Sequence, residues 1–242
     1  MKFKKSIALI ISVVMVFTSL TSLVTAAAVS DISGHWAQVS IQPLVDKGII
    51  NGYEDGTFRP NNPITRAEFC KIITSALIYD GVIADYVTTT GTFTDVPDNI
   101  WYSQYVETAY ANGFVVGIGE GKFDPGAFIT RQGMAKIVSL VYCQKNTADF
   151  NTLRDDCNIG GYNLSDLNTA DTWAMDYIKV ALSVELMRGD GSTFRPQGQA
   201  TRAEAATVTF KILDIAIPAP STVAYLYNSK IPIVNGNNYD LY

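Results

Sequence analysis

The chain has 242 residues, 48% of them hydrophobic, which fits one or two globular domains. A formal net charge of −5, with no basic patch, excludes partners held by bulk attraction to a polyanion, both nucleic acid and anionic lipid. Three cysteines, an odd count, exclude a closed disulfide framework, so stability must come from packing.

The first 28 residues read as a secretory signal peptide. Lys2, Lys4 and Lys5 precede a largely apolar run from Ile7 to Val24, and Ala26-Ala27-Ala28 offers an A-x-A cleavage site. Ser12, Thr18, Ser19, Thr21 and Ser22 weaken the run as a membrane span. Cleavage removes three lysines and no acid, so the charge falls from −5 to about −8. The expected product is secreted, acidic and has no membrane segment.

Residues 29–78, 93–142 and 164–213 then form three copies of one unit. Each opens at a tryptophan (Trp36, Trp101, Trp173), crosses a glycine-rich turn, and ends in a Thr-Arg pair. Phe58, Phe123 and Phe194 stand seven residues before Thr65, Thr130 and Thr201 in every copy. After each tryptophan the apolar spacing is helical: Ile41, Leu44 and Val45; Tyr105, Val106, Ala109 and Tyr110; Tyr177, Ile178, Ala181 and Leu182. That register favours the core face for the tryptophans, as anchors, with stacking on sugar rings at an exposed groove as the alternative. Asp31, Asp95 and Asp166 are the expected N-caps of these helices. Pro43 should shorten or kink the first one.

A second helix follows each turn. Thr65-Arg-Ala-Glu68 and Thr201-Arg-Ala-Glu204 fit a capping box. The middle copy reads Thr130-Arg-Gln-Gly133, which loses the acid and puts glycine in the first turn, a loss of up to about 1 kcal/mol. Phe69, Ile72, Ile73, Ala76 and Leu77 form one core face; Ala205, Val208, Ile212 and Leu213 form another. Cys70 lies on the first of these faces, and Cys143 and Cys157 flank a loop short enough to allow pairing. No unit is large enough to bury its apolar face alone, so three are expected to close around a pseudo-threefold axis. The class is mainly α, with connectors 79–92 and 143–163 outside. The tail 214–242, rich in proline and tyrosine, has no assigned role.

The candidate chemistry sits at Arg66, Arg131 and Arg202. A cation in the first turn opposes the helix dipole, yet unpaired N–H groups there suit an anion, and arginine adds a bidentate fork. Two readings stand open: a carboxylate or phosphate pocket made three times, or arginines pairing with acids of a neighbouring copy. Catalysis has no support. His35 is the only histidine, and no GxSxG, HExxH, CxxC or P-loop occurs. Neither a calcium loop nor any other metal or cofactor motif is present.

The three motifs ITRAE at 64–68, ITRQG at 129–133 and ATRAE at 200–204, with their tryptophans and Gly-x-F-x-P turns, resemble the S-layer homology domain family. The resemblance covers about 31–213. It implies a three-unit helical spindle that binds secondary cell-wall polysaccharide non-covalently on Gram-positive-type surfaces, commonly through a pyruvate-ketal sugar. It implies a carboxylate site at Arg66 and Arg202 with Thr65, Thr201, Glu68 and Glu204, and a weaker one at Arg131 with Thr130. The alternative it allows is assembly with other S-layer or surface proteins. No enzymatic cargo is expected in the 29 residues after the third copy.

Overall fold

The computed structural model describes residues 29–88 and 91–214; the expected signal peptide (1–28) and residues 215–242 of the tail lie outside the described residues. The described fold is helical. Repeat 1 contributes α1 (Gln38–Asp46) and α2 (Arg66–Tyr79), and repeat 2 contributes α3 (Ser103–Ala111) and α4 (Arg131–Asn146). A connector helix α5 (Phe150–Asp156) and a 3-10 turn (Leu167–Thr169) precede α6 (Met175–Ser183) and α7 (Arg202–Ile212) of repeat 3. Among the described residues no helix is long and apolar enough to cross a membrane.

The second helices follow the sequence closely. Thr65 and Thr201 accept from the amides of Glu68 and Glu204, and both glutamates reach back, completing the capping boxes. Thr130 still accepts from the Gly133 amide, so the middle helix loses only the reciprocal half of its cap. Phe69, Ile72, Ile73, Ala76 and Leu77 are buried, as are Ala205, Val208, Ile212 and Leu213. Cys70 is buried too, and burial pushes its thiol up to about 12. All three cysteines are free, so Cys143 and Cys157 do not pair.

The first helices differ from expectation in three ways. They begin at Gln38, Ser103 and Met175, two residues after each tryptophan, so the tryptophans stand in the preceding turns. That shift takes them off the core face: Trp36, Trp101 and Trp173 are 44%, 52% and 49% exposed, and Tyr110 is exposed with them. Pro43 does not shorten α1, since α3 and α6 have the same nine residues without a proline.

The three aspartates do not cap helices; they clamp the loops. Asp31 accepts from the amides of Phe58 and Arg59 at 2.6 and 2.7 Å. Asp95 does the same for Phe123 and Asp124, and Asp166 for Phe194 and Arg195. The second residue of each pair is left-handed (Arg59 φ 56°, Asp124 φ 59°, Arg195 φ 58°), a conformation that costs about 1–2 kcal/mol. The carboxylate offsets that strain, and each phenylalanine is driven into the core with no exposed surface.

Repeats are bonded in a closed cycle just ahead of the threonine caps. The Ile64 amide donates to Ala200, the Ala200 amide to Ile129, and the Ile129 amide to Ile64, all at 2.9–3.0 Å. The helices repeat this order: α2 packs on α3, α4 on α6, and α7 on α1. One apolar core runs through all three repeats. The second connector contains a helix, α5. Asp149 caps α5, none of its residues is buried, and Phe150 stacks on Tyr177 at 4.7 Å.

Candidate functional site

Each second helix points its first turn at the loop of the next repeat. The Arg66 and Ala67 amides donate to Ala127 and Pro125; those of Arg131 and Gln132 donate to Gly198 and Pro196; those of Arg202 and Ala203 donate to Asn62 and Pro60. The third amide is taken by the threonine cap. The unpaired N–H groups expected to receive an anion are therefore already used, by backbone carbonyls of the neighbouring repeat.

The arginines follow the same cyclic rule. Nε of Arg66, Arg131 and Arg202 donates to the carbonyls of Phe123, Phe194 and Phe58 at 2.9, 2.7 and 2.8 Å. Nη2 reaches Val116, Arg188 and Asn51 in the same order. Each guanidinium lies over the ring of that phenylalanine, at 4.3, 4.7 and 4.6 Å. Two of the three also meet an acid from the next repeat: Arg131 Nη1 contacts Glu204 Oε1, and Arg202 Nη1 stands 3.5 Å from Glu68 Oε1. The capping-box glutamate thus serves twice, one oxygen holding its own helix start and the other the previous repeat's arginine.

The glycine of the middle motif therefore acts across the interface. Gly133 occupies the position of Glu68 and Glu204, so the arginine that lacks a carboxylate is Arg66, not Arg131. Among the described residues Arg66 forms no ion pair, and its Nη1 has no hydrogen-bond partner. It is also the most accessible of the three, half-buried where Arg131 and Arg202 are only 5% and 6% exposed. Burial lowers the pKa of Arg66, with Asp124 and Asp95 opposing from a distance. Burial also lowers that of Arg131, with Glu204 opposing.

Around Arg131 and Arg202 this opens a cavity floored by the arginine, walled by the loop and second helix of the next repeat, and edged by a tryptophan of the one after; the same repeat positions frame a groove at Arg66. The Arg202 groove, a cavity of 220 Å3, is lined by Tyr53, Glu68, Lys71 and Trp101. The Arg131 groove, 190 Å3, is lined by Trp36, Asp190, Arg195, Glu204 and Lys211. The equivalent residues around Arg66 are Val116, Ile118, Gly133, Lys136 and Trp173. Lysines at the sixth helical position, unassigned by the sequence reading, complete two of these sites. Lys71 lies over the Trp101 and Tyr105 rings at 5.5 and 5.7 Å, and Lys136 over Trp173 and Tyr177 at 5.6 Å each. The lysine recurs at the same repeat position, which is the signal that identifies it in the sequence. Thr207 replaces it in the Arg131 groove, where Lys211 lies instead; burial pushes Lys211 down to about 8, with the Arg188 charge adding to the effect.

Gly52, Gly117 and Gly189 set the loop wall. A Cβ on any of them would come within 2.5–2.7 Å of a facing backbone oxygen, that of Thr57, Lys122 or Thr193. Among the described residues no group of three or more His, Cys, Asp or Glu is placed to hold a metal ion.

The pattern of the S-layer homology domain matches residues 30–70, 92–135 and 163–206. The chain is 33% identical over 186 residues to an amylopullulanase of Thermoanaerobacterium thermosulfurigenes, covering 76% of this chain and 9% of that protein. It is 32% identical over 207 residues to the S-layer protein EA1 of Bacillus anthracis, 84% of this chain and 22% of that one. A cellulosome-anchoring protein of Acetivibrio thermocellus is 34% identical over 107 residues, 44% of this chain and 23% of that one. The chain thus spans less than a quarter of the length of each of these relatives. With its three repeats matched over more than half of its residues, and bonded to one another in a closed cycle, the chain belongs to the S-layer homology domain family.

Proposed function

We propose that the chain is a secreted, non-catalytic protein of the cell wall or S-layer that binds secondary cell-wall polysaccharide non-covalently in the inter-repeat grooves. The carrying observation is the pairing, in two grooves, of a lysine with a half-exposed tryptophan beside an interface arginine. An indole face suits the apolar face of a sugar ring, and an ammonium above it suits a carboxylate on that sugar. A pyruvate ketal supplies such a carboxylate. An acidic chain still holds an acidic glycan, because a contact within a groove is short-range while net repulsion is screened within about 10 Å. The name of the cellulosome-anchoring relative and of the S-layer relative accords with attachment at the cell surface.

A second reading, assembly with other surface proteins, is favoured by three exposed apolar side chains near one end of the Arg66 groove and the adjoining strand bridge: Val116, Ile118 and Phe128. A pull-down on purified sacculi, before and after removal of pyruvate ketals, separates the two. The glycan reading predicts that binding is lost with the ketals. Undiminished binding would count against the carboxylate reading.

A further inference from the structure

We infer that the Arg66 groove is the selective anion site of the three, and that the side chain at position 133 sets this selectivity. The inference deepens the glycan reading above and rests on it for the identity of the natural ligand. From the motif alone the middle copy appears degraded. The cyclic packing moves the consequence of its glycine one repeat back.

Three observations converge. Arg66 keeps an N–H face without a protein partner, whereas Arg131 and Arg202 each meet two carbonyls and a glutamate, tightly at Arg131 and at 3.5 Å from the glutamate at Arg202. Lys136 lies over the Trp173 ring on the helix that faces Arg66, and burial lowers its pKa with the Arg66 charge adding to the effect, so two cations share the groove with no glutamate between their helical positions. In the Arg202 groove Glu68 lines the cavity together with Lys71, and in the Arg131 groove Thr207 replaces the lysine while Arg195 and Lys211 stand beside the acids Asp190 and Glu204. Of the nearby acids, Asp95 is occupied by two loop amides and Asp171 by Gln132, Gln197 and the Trp173 indole, while Asp124 acts on Arg66 without forming an ion pair.

The wall of this groove differs as well. Val116 and Ile118, 53% and 59% exposed, stand where the other loops have Asn51 and Tyr53 or Arg188 and Asp190. Two cations beside two apolar side chains fit a carboxylate with a methyl on the adjoining carbon, which is the substitution pattern of a pyruvate ketal.

The three tryptophans, one per groove, make this measurable. The full chain is titrated with sodium 2,2-dimethoxypropanoate, a ketal carboxylate, while the three indole N–H resonances are followed by NMR. The Trp173 signal is expected to move first. Gly133→Glu should raise its midpoint about tenfold by supplying the missing carboxylate to Arg66. That variant should fold, since the same residue completes the cap in the other two repeats and the Cβ meets Ile129 and Thr130 at 3.3 Å. Glu68→Gln keeps a capping side chain and removes the charge, so it should lower the Trp101 midpoint. Trp36 or Trp101 moving first, no indole moving, or a Trp173 midpoint indifferent to Gly133→Glu would each overturn the inference. Sacculus binding by the same proteins judges the glycan reading separately: a Trp173 response with no wall binding removes the glycan and leaves the ranking of the grooves.

Discussion

Arg131 and Arg66 occupy the same position of the same motif, yet one is a strut and the other an open cation. Arg131 is buried, bonded to two carbonyls of the next repeat, and paired with Glu204. Arg66 makes the same two carbonyl bonds but faces Gly133 where Arg131 faces a glutamate. One residue on a neighbouring repeat decides which arginine is paired with an acid and which keeps an open N–H face. The role of a repeat position is thus set by the facing copy as much as by its own sequence.

The largest expected effect breaks this comparison from the structural side. Arg131→Ala removes a buried cation bonded to two carbonyls and to Glu204, which keeps only the exposed Arg195, and should destabilise the protein by about 2–3 kcal/mol in denaturant unfolding. Arg202→Ala follows, and Arg66→Ala, with no buried acid to strand, should cost markedly less. Equal losses at all three positions would show that the carbonyl bonds, not the glutamates, carry the interface.

The loop clamps should not discriminate between grooves, which sharpens the contrast. Asp31→Asn, Asp95→Asn and Asp166→Asn each weaken two charge-assisted bonds to backbone amides and should each cost about 1–3 kcal/mol, read as matched shifts in unfolding midpoint. A smaller difference distinguishes the caps. Thr201→Ala should cost about 1 kcal/mol, and Thr130→Ala less, because only half of the reciprocal cap exists there.

The Arg131 groove carries its own signature in Lys211. Its folded pKa is lowered from 10.5 to about 8, so the unfolded chain binds more protons between those values. Stability should therefore rise as pH increases from about 8 to 10.5 and then level off. Lys211→Met should remove that increment, as thermal unfolding across the window will show.

Much of the framework was legible in the sequence because it is local. Thr65, Thr130 and Thr201 cap helices through bonds three residues long, and the apolar spacing of α2 and α7 needs only helical geometry. The tryptophans misled for a physical reason: their spacing matches the helix, but the helix begins two residues later and the rings turn outward. Asp31, Asp95 and Asp166 have the chemistry of caps, and nothing local reveals that their donors lie 27 to 29 residues away. The sequence reading also ranked Arg131 last because its own motif lacks an acid. That inference assumed a glutamate serves its own helix alone, whereas in the fold its second oxygen serves the repeat before.

The most direct test is the affinity of Arg66→Gln for pyruvylated sacculi, measured on protein shown to be folded. The account predicts a loss of about tenfold or more, the amount expected from removing one charged hydrogen-bonding group from an anion site. Binding equal to that of the unaltered chain would contradict it.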